Sequence, residues 1–235
     1  MSVTGPPARE AARAFGVVFG PSALLDAAAG AAVASTLHAL RRRRRPSRAA
    51  ALVSGVVGAY LVIGRPLMLH WGATCEELRE PLPGDELVPD PAFQSTRAVT
   101  IDAPPEAVWP WVAQLGQDRA GFYSYDWLEN LAGCHMHNAD EIHPEWQARD
   151  VGETVYLHPS RGLPVARFDP GHALALEGWG AFVVEPVSHD RTRLIARGRT
   201  PRGAAALLDA LLVEIPHFVM ERKMLLGIKE RAERA

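Results

Sequence analysis

The densest group of chemically versatile side chains lies in the segment GCHMHNADEIHPEW, residues 133–146. His135 and His137 are two residues apart, so they would share one face of a strand but not of a helix. No second pair of ligands stands at a spacing that is known for metal sites. The segment is therefore interpreted as a solvated connector, and neither a metal nor a cofactor is expected. Its thiol, imidazole and carboxylate groups belong to Cys134, His135, His137, Asp140, Glu141, His143 and Glu145.

A second candidate for chemistry is the pair His217 and Glu221, which are four residues apart near the C-terminus. On a helix the two side chains share one face, and an inward face would let them act as a general acid and base. The simpler interpretation is a surface pair on a kinked turn, because side chains four apart commonly interact on exposed helices. No catalytic residue is assigned, and binding is favoured over enzymatic activity.

Aromatic side chains with a polar tip form a third candidate site. Tyr123, Tyr125 and Trp127 lie close together in the segment GFYSYDWLENL, and Trp179 lies between two glycines. Such side chains suit the mouth of a pocket for an amphipathic ligand, because each combines an apolar body with one polar group. The alternative is that they are ordinary core and rim residues.

A strand and a helix open the region that must position these residues. In VTIDAPPEAVWPWVAQLG, residues 99–116, apolar and polar residues first alternate, which predicts a strand over 97–102. Pro104 and Pro105 are typical of a helix start, where a missing N–H costs nothing. Pro110 lies inside the helix and removes one hydrogen bond, so a kink or two short turns are expected.

A short helix, five strands and a long helix follow. Ser124 is expected to cap the short helix, and Gly133 follows its end. Residues 202–235 carry an apolar stripe at helical spacing, in which Pro216 is expected to introduce a kink. This order predicts an α+β fold in which the last helix covers the apolar face of an antiparallel sheet. The five strand-like runs lie between turn signals at 153–157, 163–168, 173–177, 181–187 and 192–199.

The first part of the chain holds two apolar stretches, separated by six arginines in the eight residues 41–48. The second stretch, 49–71, is long enough to cross a bilayer if the Arg65 side chain reaches the headgroups. The first, 15–40, contains Asp26, whose insertion costs on the order of 3 kcal/mol, so this stretch is marginal alone. We therefore expect a transmembrane helical hairpin or a single anchor. The arginine-rich loop favours the cytoplasm, which directs the residues that follow to the outside of the cell membrane.

Composition and residue counts indicate the partners, the linker and the division of the chain into parts. The chain has 235 residues, 48% of them hydrophobic, and 25 basic against 27 acidic residues, so nucleic acid is not an expected partner. Residues 80–91 contain four prolines, which indicates an extended tether. Cys75 and Cys134 lack the spacing of a zinc or redox motif, and two free thiols are favoured over a disulfide. The predicted parts are a tail, 1–14, membrane segments, 15–71, a linker, 72–95, and a folded domain, 96–235.

With this element order, the chain resembles the SRPBCC superfamily, the START-related and polyketide-cyclase-like helix-grip proteins. The resemblance is carried by VTIDAPPEAVWPWVAQLG and the long final helix, and it covers about residues 71–235. WGATCEELREPLPGDELVPDP, GFYSYDWLENL and HFVMERKMLLGIKERAE are similar to segments of membrane-anchored bacterial members. The resemblance implies a curved sheet around the last helix and an enclosed apolar pocket.

The resemblance implies that the pocket binds or transfers an apolar or amphipathic small molecule, such as a lipid or a polyketide. A cyclase or dehydratase that uses the same cavity is the first alternative, and an envelope module that contacts proteins without a ligand is the second. By resemblance, strand residues Tyr156 and Phe182 join the pocket with four residues of the last helix. The expected lining is Tyr123, Tyr125, Trp127, Tyr156, Trp179, Phe182, Leu211, Ile215, Phe218 and Val219.

Overall fold

The computed structural model describes residues 28–42, 45–131, 133–203 and 213–234. Two helices come first, α1 over residues 28–41 and α2 over Arg48–Leu69. The Ser54 hydroxyl of α2 lies 2.9 Å from the hydroxyl of Thr36, so the two helices are in contact. Among the described residues, α2 is the one helix whose length and composition would allow it to cross a membrane, and only 6% of its apolar stretch is buried. The predicted tail and residues 15–27 lie outside the described residues.

A six-stranded antiparallel sheet forms the centre of the domain. Its spatial order is β1-β6-β5-β4-β3-β2, so the first and last strands pair and the others form a meander. All six predicted strands are present, although β1 begins at residue 91 rather than at 97. The strands are β1, Pro91–Ile101, β2, Thr154–His158, β3, Arg161–Asp169, β4, Ala173–Leu176, β5, Gly180–Ser188, and β6, Arg191–Pro201.

Helix α3, Pro105–Ala113, begins at the predicted prolines and runs through Pro110 without a break. The expected division into two turns is therefore wrong. Pro110 removes the hydrogen bond to the carbonyl of Glu106, but Glu106 is exposed and water can bond to that carbonyl. The neighbouring tryptophans are packing residues: Trp109 lies 5.4 Å from the ring of Phe168, and Trp111 meets the edge of Tyr123.

Helix α4, Asp126–Leu131, is the predicted short helix, and Gly133 follows it with a positive φ of 81°. Ser124 does not cap this helix. Its hydroxyl instead donates a hydrogen bond of 2.9 Å to the carbonyl of Met220, on the final helix. The serine therefore joins the two helical regions that flank the site described below.

Helix α5, Glu214–Ala232, lies with α3 on one face of the sheet and closes the main core. Pro216 is the third residue of this helix, and residues 204–212, which precede it, lie outside the described residues. Gly227 allows a close approach, because a Cβ there would lie 2.4 Å from the carbonyl oxygen of Tyr123. The architecture is α+β, with a six-stranded antiparallel sheet and a C-terminal helix, consistent with a helix-grip fold.

The opposite face of the sheet is covered by residues 72–90, which belong to the predicted linker, 72–95, and include most of the predicted extended tether, 80–91. Leu82 is buried there against small and branched residues of the strands. The Arg197 side chain is buried too, and it donates to Asp85 at 2.8 Å and to the carbonyl of Glu80 at 2.7 Å. Glu77 pairs with Arg193 at 2.7 Å. These residues are thus part of the folded domain, and they cover Arg193 and Arg197 of β6.

Helix α2 is also in direct contact with the folded domain. The guanidinium of Arg65 makes two hydrogen bonds of 2.9 Å and 2.7 Å to the buried carboxylate of Glu214. At the end of α2, the carbonyl of Met68 accepts a hydrogen bond of 2.8 Å from Arg97. Helix α2 is therefore fastened both to β1 and to the beginning of α5.

Candidate functional site

A cavity of about 360 Å³ lies between the sheet, α4 and α5. This volume falls within the range of small-molecule sites, which is roughly 300–1,000 Å³. Most of the lining is apolar, and three methionines contribute adaptable side chains. The lining residues are Phe122, Ser124, Leu128, Glu129, Cys134, Met136, Leu157, Leu176, Trp179, Phe182, Val213, Pro216, His217, Met220, Glu221 and Met224.

Two of the predicted pocket residues lie at this cavity. Trp179 and Phe182 both line it, and their rings are 4.5 Å apart at an angle of 40°. Trp179 lies in the turn between β4 and β5, which places its indole at the end of these two inner strands, beside His217 of α5.

The predicted tyrosines and Trp127 lie elsewhere. Tyr123 belongs to the core with only 1% of its surface exposed, and its hydroxyl accepts a hydrogen bond of 2.9 Å from Gln114. Trp127 is 65% exposed on the outer side of α4. Tyr125 is half-buried and Tyr156 is exposed, and neither lines the cavity.

The final helix presents a different face to the cavity from the predicted one. Ile215 and Val219 are 48% and 41% exposed, and Leu211 lies outside the described residues. Phe218 stacks its ring on the guanidinium of Arg97, with 5.4 Å from the Arg97 Cζ to the ring centre. The cavity instead receives Val213, just before α5, and side chains at spacings of three and four residues along α5, namely Pro216, His217, Met220, Glu221 and Met224.

His217 and Glu221 point inward, so their interpretation as a surface pair is wrong. The Trp179 indole N–H donates to His217 Nε2 at 2.9 Å. An indole nitrogen only donates, so His217 Nε2 is the acceptor of this hydrogen bond. Glu221 Oε1 lies 3.8 Å from the same Nε2, too far for a hydrogen bond. The two groups thus line the cavity side by side.

The charge of Glu221 is balanced from the other side. Its Oε2 accepts a hydrogen bond from Arg97 Nη1, and the two side chains are 2% and 1% exposed. Arg97 comes from β1, and Glu221 from the middle of α5. A buried carboxylate of this kind depends on its partner, because an isolated charge in an apolar interior is very costly.

Glu129 is the polar group of the cavity that sequence reasoning missed. Its Oε2 is buried and has no hydrogen-bond partner among the described residues. Burial, with a smaller contribution from the negative charge of Asp126, raises the pKa of Glu129 to about 7. Burial and the charge of Glu129 also raise the pKa of the Cys134 thiol to about 11. At neutral pH, Glu129 therefore exchanges a proton readily while Cys134 stays protonated.

The histidine-rich connector contributes little to this site. His135 and His137 are exposed, and His143 stacks on Trp146 with ring centres 4.1 Å apart. Within the described ranges, no group of three or more histidine, cysteine or acidic residues is arranged to hold a metal ion. Cys75 is exposed, Cys134 lines the cavity, and both thiols are free.

Comparisons with known proteins add little to the geometry. No protein-family model matches the chain, and no curated protein matches it. A solved structure of a conserved protein of unknown function from Enterococcus faecalis is 11% identical, with a TM-score of 0.34 over 58% of this chain and 68% of that one. A polyketide-cyclase-like protein from Corynebacterium glutamicum is 14% identical, with a TM-score of 0.30 over 58% and 88% of the two chains. Similarity at this level carries no argument about activity, so the fold assignment rests on the strand order and the terminal helix.

Proposed function

We propose that this chain binds an apolar or amphipathic small molecule in the cavity beneath α5, as a protein anchored to the cell membrane. The observation that carries the proposal is the cavity itself, with apolar walls and few polar groups. Ligand sites typically combine such walls with a small number of polar groups that orient the ligand. Here the polar groups are Ser124, Glu129, Cys134, His217 and Glu221.

The size of the cavity limits the ligand. If each non-hydrogen atom needs roughly the 30 Å³ that a water molecule occupies in the liquid, a cavity of about 360 Å³ holds about a dozen such atoms. A single medium-length alkyl chain with a polar end fits this volume, whereas a complete two-chain phospholipid does not.

A cavity-filling variant tests the proposal. Leu128 and Leu131 both lie on α4, but Leu128 lines the cavity and Leu131 is exposed. Leu128→Trp is expected to abolish uptake of a lipophilic dye and co-purification of a small molecule in native mass spectrometry. Leu131→Trp, the matched control, is expected to retain both. Equal uptake by the two variants, or no uptake by the wild type, contradicts the proposal.

Helix α2 supports the anchored form. It comprises the 22 residues Arg48–Leu69, about 33 Å at 1.5 Å per residue, and most of its large apolar side chains are exposed. The arginines at its beginning favour a cytoplasmic start, so the domain would lie outside. Alkaline phosphatase fused after residue 235 should then be active in bacteria. An inactive fusion, with an active cytoplasmic reporter at the same position, contradicts this orientation.

An enzyme that uses the same cavity is the second candidate function, and one observation favours it. Glu129 and the neighbouring His217 and Glu221 bring titratable groups to an apolar cavity, as acid–base catalysis requires. The mass and the chromatographic retention time of a co-purified ligand, followed during incubation at 25 °C, separate the candidates, because a binding protein leaves both unchanged, whereas a cyclisation without loss of water changes the retention time alone. Loss of water from the ligand that stops in Glu129→Gln would identify a dehydratase or cyclase. Because the domain contains a cavity of ligand size, an envelope module that only contacts other proteins is disfavoured.

A further inference from the structure

The cavity is short of positive charge. Four of its lining residues are titratable: Glu129, Cys134, His217 and Glu221. Glu221 is already paired with Arg97, and Nε2 of His217 accepts the Trp179 N–H. No lysine or arginine is present in the described lining. Glu129 is thus the one carboxyl group of the described lining whose charge no cation balances.

The surroundings of Glu129 add to this deficit. Asp126, on the same helix, contributes a second negative charge, and the nearby Cys134 thiol has no positive charge to offer. The Oε2 atom is enclosed yet accepts no hydrogen bond from the described residues. Because Glu129 also lines the cavity, a ligand that donates a hydrogen bond to its carboxyl group makes a contact that the described residues do not supply, and it gains affinity.

We propose that the cavity selects an amphiphile whose polar end is a primary amine and discriminates against fatty acids, with Glu129 as the group that receives the amine. An ammonium end supplies both the hydrogen-bond donors and the positive charge that the cavity lacks. A fatty acid would instead bring a second carboxylate next to Glu129 and Asp126. This inference rests on the proposed ligand-binding function and specifies the ligand class of the same site.

Three ligands with the same ten-carbon chain test the proposal: decylamine, decanol and decanoate. Each fits the estimated dozen non-hydrogen atoms, and only the polar end differs. Binding is measured by displacement of a neutral dye from the full chain in phosphatidylcholine nanodiscs. For each ligand, wild type is compared with Glu129→Gln, so that partition of the ligand into the lipid cancels. Glu106→Gln, an exposed change on α3, is the matched control.

We expect Glu129→Gln to weaken decylamine binding by about tenfold, the loss typical of one charged hydrogen bond. Decanol should change by less than about threefold, and decanoate should bind the variant as well as or better than the wild type. Decylamine should also bind the wild type more tightly as the pH rises through 7, because Glu129 then ionises, and the variant should lose this dependence. The other titratable groups at the cavity, Cys134, His217 and Glu221, remain in both proteins.

Two results would overturn the proposal in different ways. If decanol binds but Glu129→Gln changes decylamine and decanoate equally, the cavity binds amphiphiles without selecting the amine. If none of the three ligands displaces the dye from the wild type, the proposed binding function fails and the selectivity fails with it.

Discussion

The buried pair of Arg97 and Glu221 makes a strong prediction about stability. Both side chains are almost fully enclosed, at 1% and 2% exposure. Arg97→Met preserves much of the length and apolar volume of the side chain but leaves the carboxylate of Glu221 buried without a cation. The change also removes the hydrogen bond of 2.8 Å to the carbonyl of Met68 and the contact with the ring of Phe218.

Breaking a buried ion pair by removing one partner costs about 3–5 kcal/mol. For a domain of roughly 150–250 residues, each 1 kcal/mol corresponds to about 2–4 °C in Tm, so Arg97→Met should lower the Tm by about 6–20 °C. The double variant Arg97→Met/Glu221→Leu removes both charges and leaves mainly the Met68 carbonyl without its donor, at about 1–2 kcal/mol. Its Tm should therefore lie above that of the single variant.

Tryptophan fluorescence during thermal unfolding in nanodiscs measures these shifts, and Arg202→Met provides the matched control. Arg202 pairs with Asp90 at 2.8 Å, but both side chains are mostly exposed and screened by water, so its loss should leave the Tm almost unchanged. The reasoning is refuted if Arg97→Met melts within about 2 °C of the wild type. It is also refuted if the double variant melts no higher than Arg97→Met, because the cost would then not come from an uncompensated charge.

Three further predictions concern residues 72–90 and the cavity. Leu82→Ala should cost about 2–5 kcal/mol because this side chain is buried against the sheet, whereas Leu87→Ala, at a more exposed position, should cost much less; equal Tm values for the two variants would indicate a tether. The pKa of Glu129 is about 7 in the folded state, against an ordinary value of 4.5, so the folded protein keeps this proton when the unfolded chain has lost it. The ligand-free wild type should therefore lose stability relative to Glu129→Gln as the pH rises from about 4.5 to 7, and not beyond. A Tm difference between the two proteins that is constant with pH contradicts this. Maleimide should label Cys134 far more slowly than the exposed Cys75 at pH 7, since burial raises the pKa of the Cys134 thiol to about 11; similar labelling rates in mass spectrometry contradict its place in the cavity.

The strands were the most predictable part of the fold, because each carries its own signal. Alternation of apolar and polar residues and the turn residues between the runs depend on neighbours in the sequence. The pairing of β1 with β6, with Val99 opposite Leu194, follows from burying one face of the sheet beneath the final helix. Pro110 was less predictable, since the cost of a proline depends on whether the freed carbonyl reaches water.

In residues 72–90, the prolines were a clear local signal, whereas the ion pairs with distant residues could not be foreseen. The prolines exclude regular helix or strand, and that signal alone indicated a tether. The same segment carries the acids Glu77 and Asp85, while Arg193 and Arg197 lie on one face of β6 more than a hundred residues later. Irregular backbone can pack firmly when its charges find such partners, but a sequence of one protein does not reveal which distant charges meet.

The face of α5 was misjudged for a related reason. The predicted stripe counted branched aliphatic and aromatic residues, and it therefore selected Ile215, Phe218 and Val219. The observed cavity face is built from proline and methionine together with His217 and Glu221. A helix shows a single apolar face only if just one of its sides packs against protein. A second side of α5 is also covered, because Phe218 packs on Arg97 of β1.

Glu129 is the site residue whose environment depends most on distant parts of the chain. In DWLENL it follows Trp127 and Leu128 on a six-residue helix, and a glutamate in such a segment is ordinarily solvated. Met220 of α5 and Val213, just before that helix, line the same cavity as Glu129 from the far end of the chain. The change from a surface acid to a group that titrates near neutrality therefore arises from packing between elements about ninety residues apart. A polar group that the fold encloses without a partner is where a ligand gains most, since the stabilising contact is still to be made.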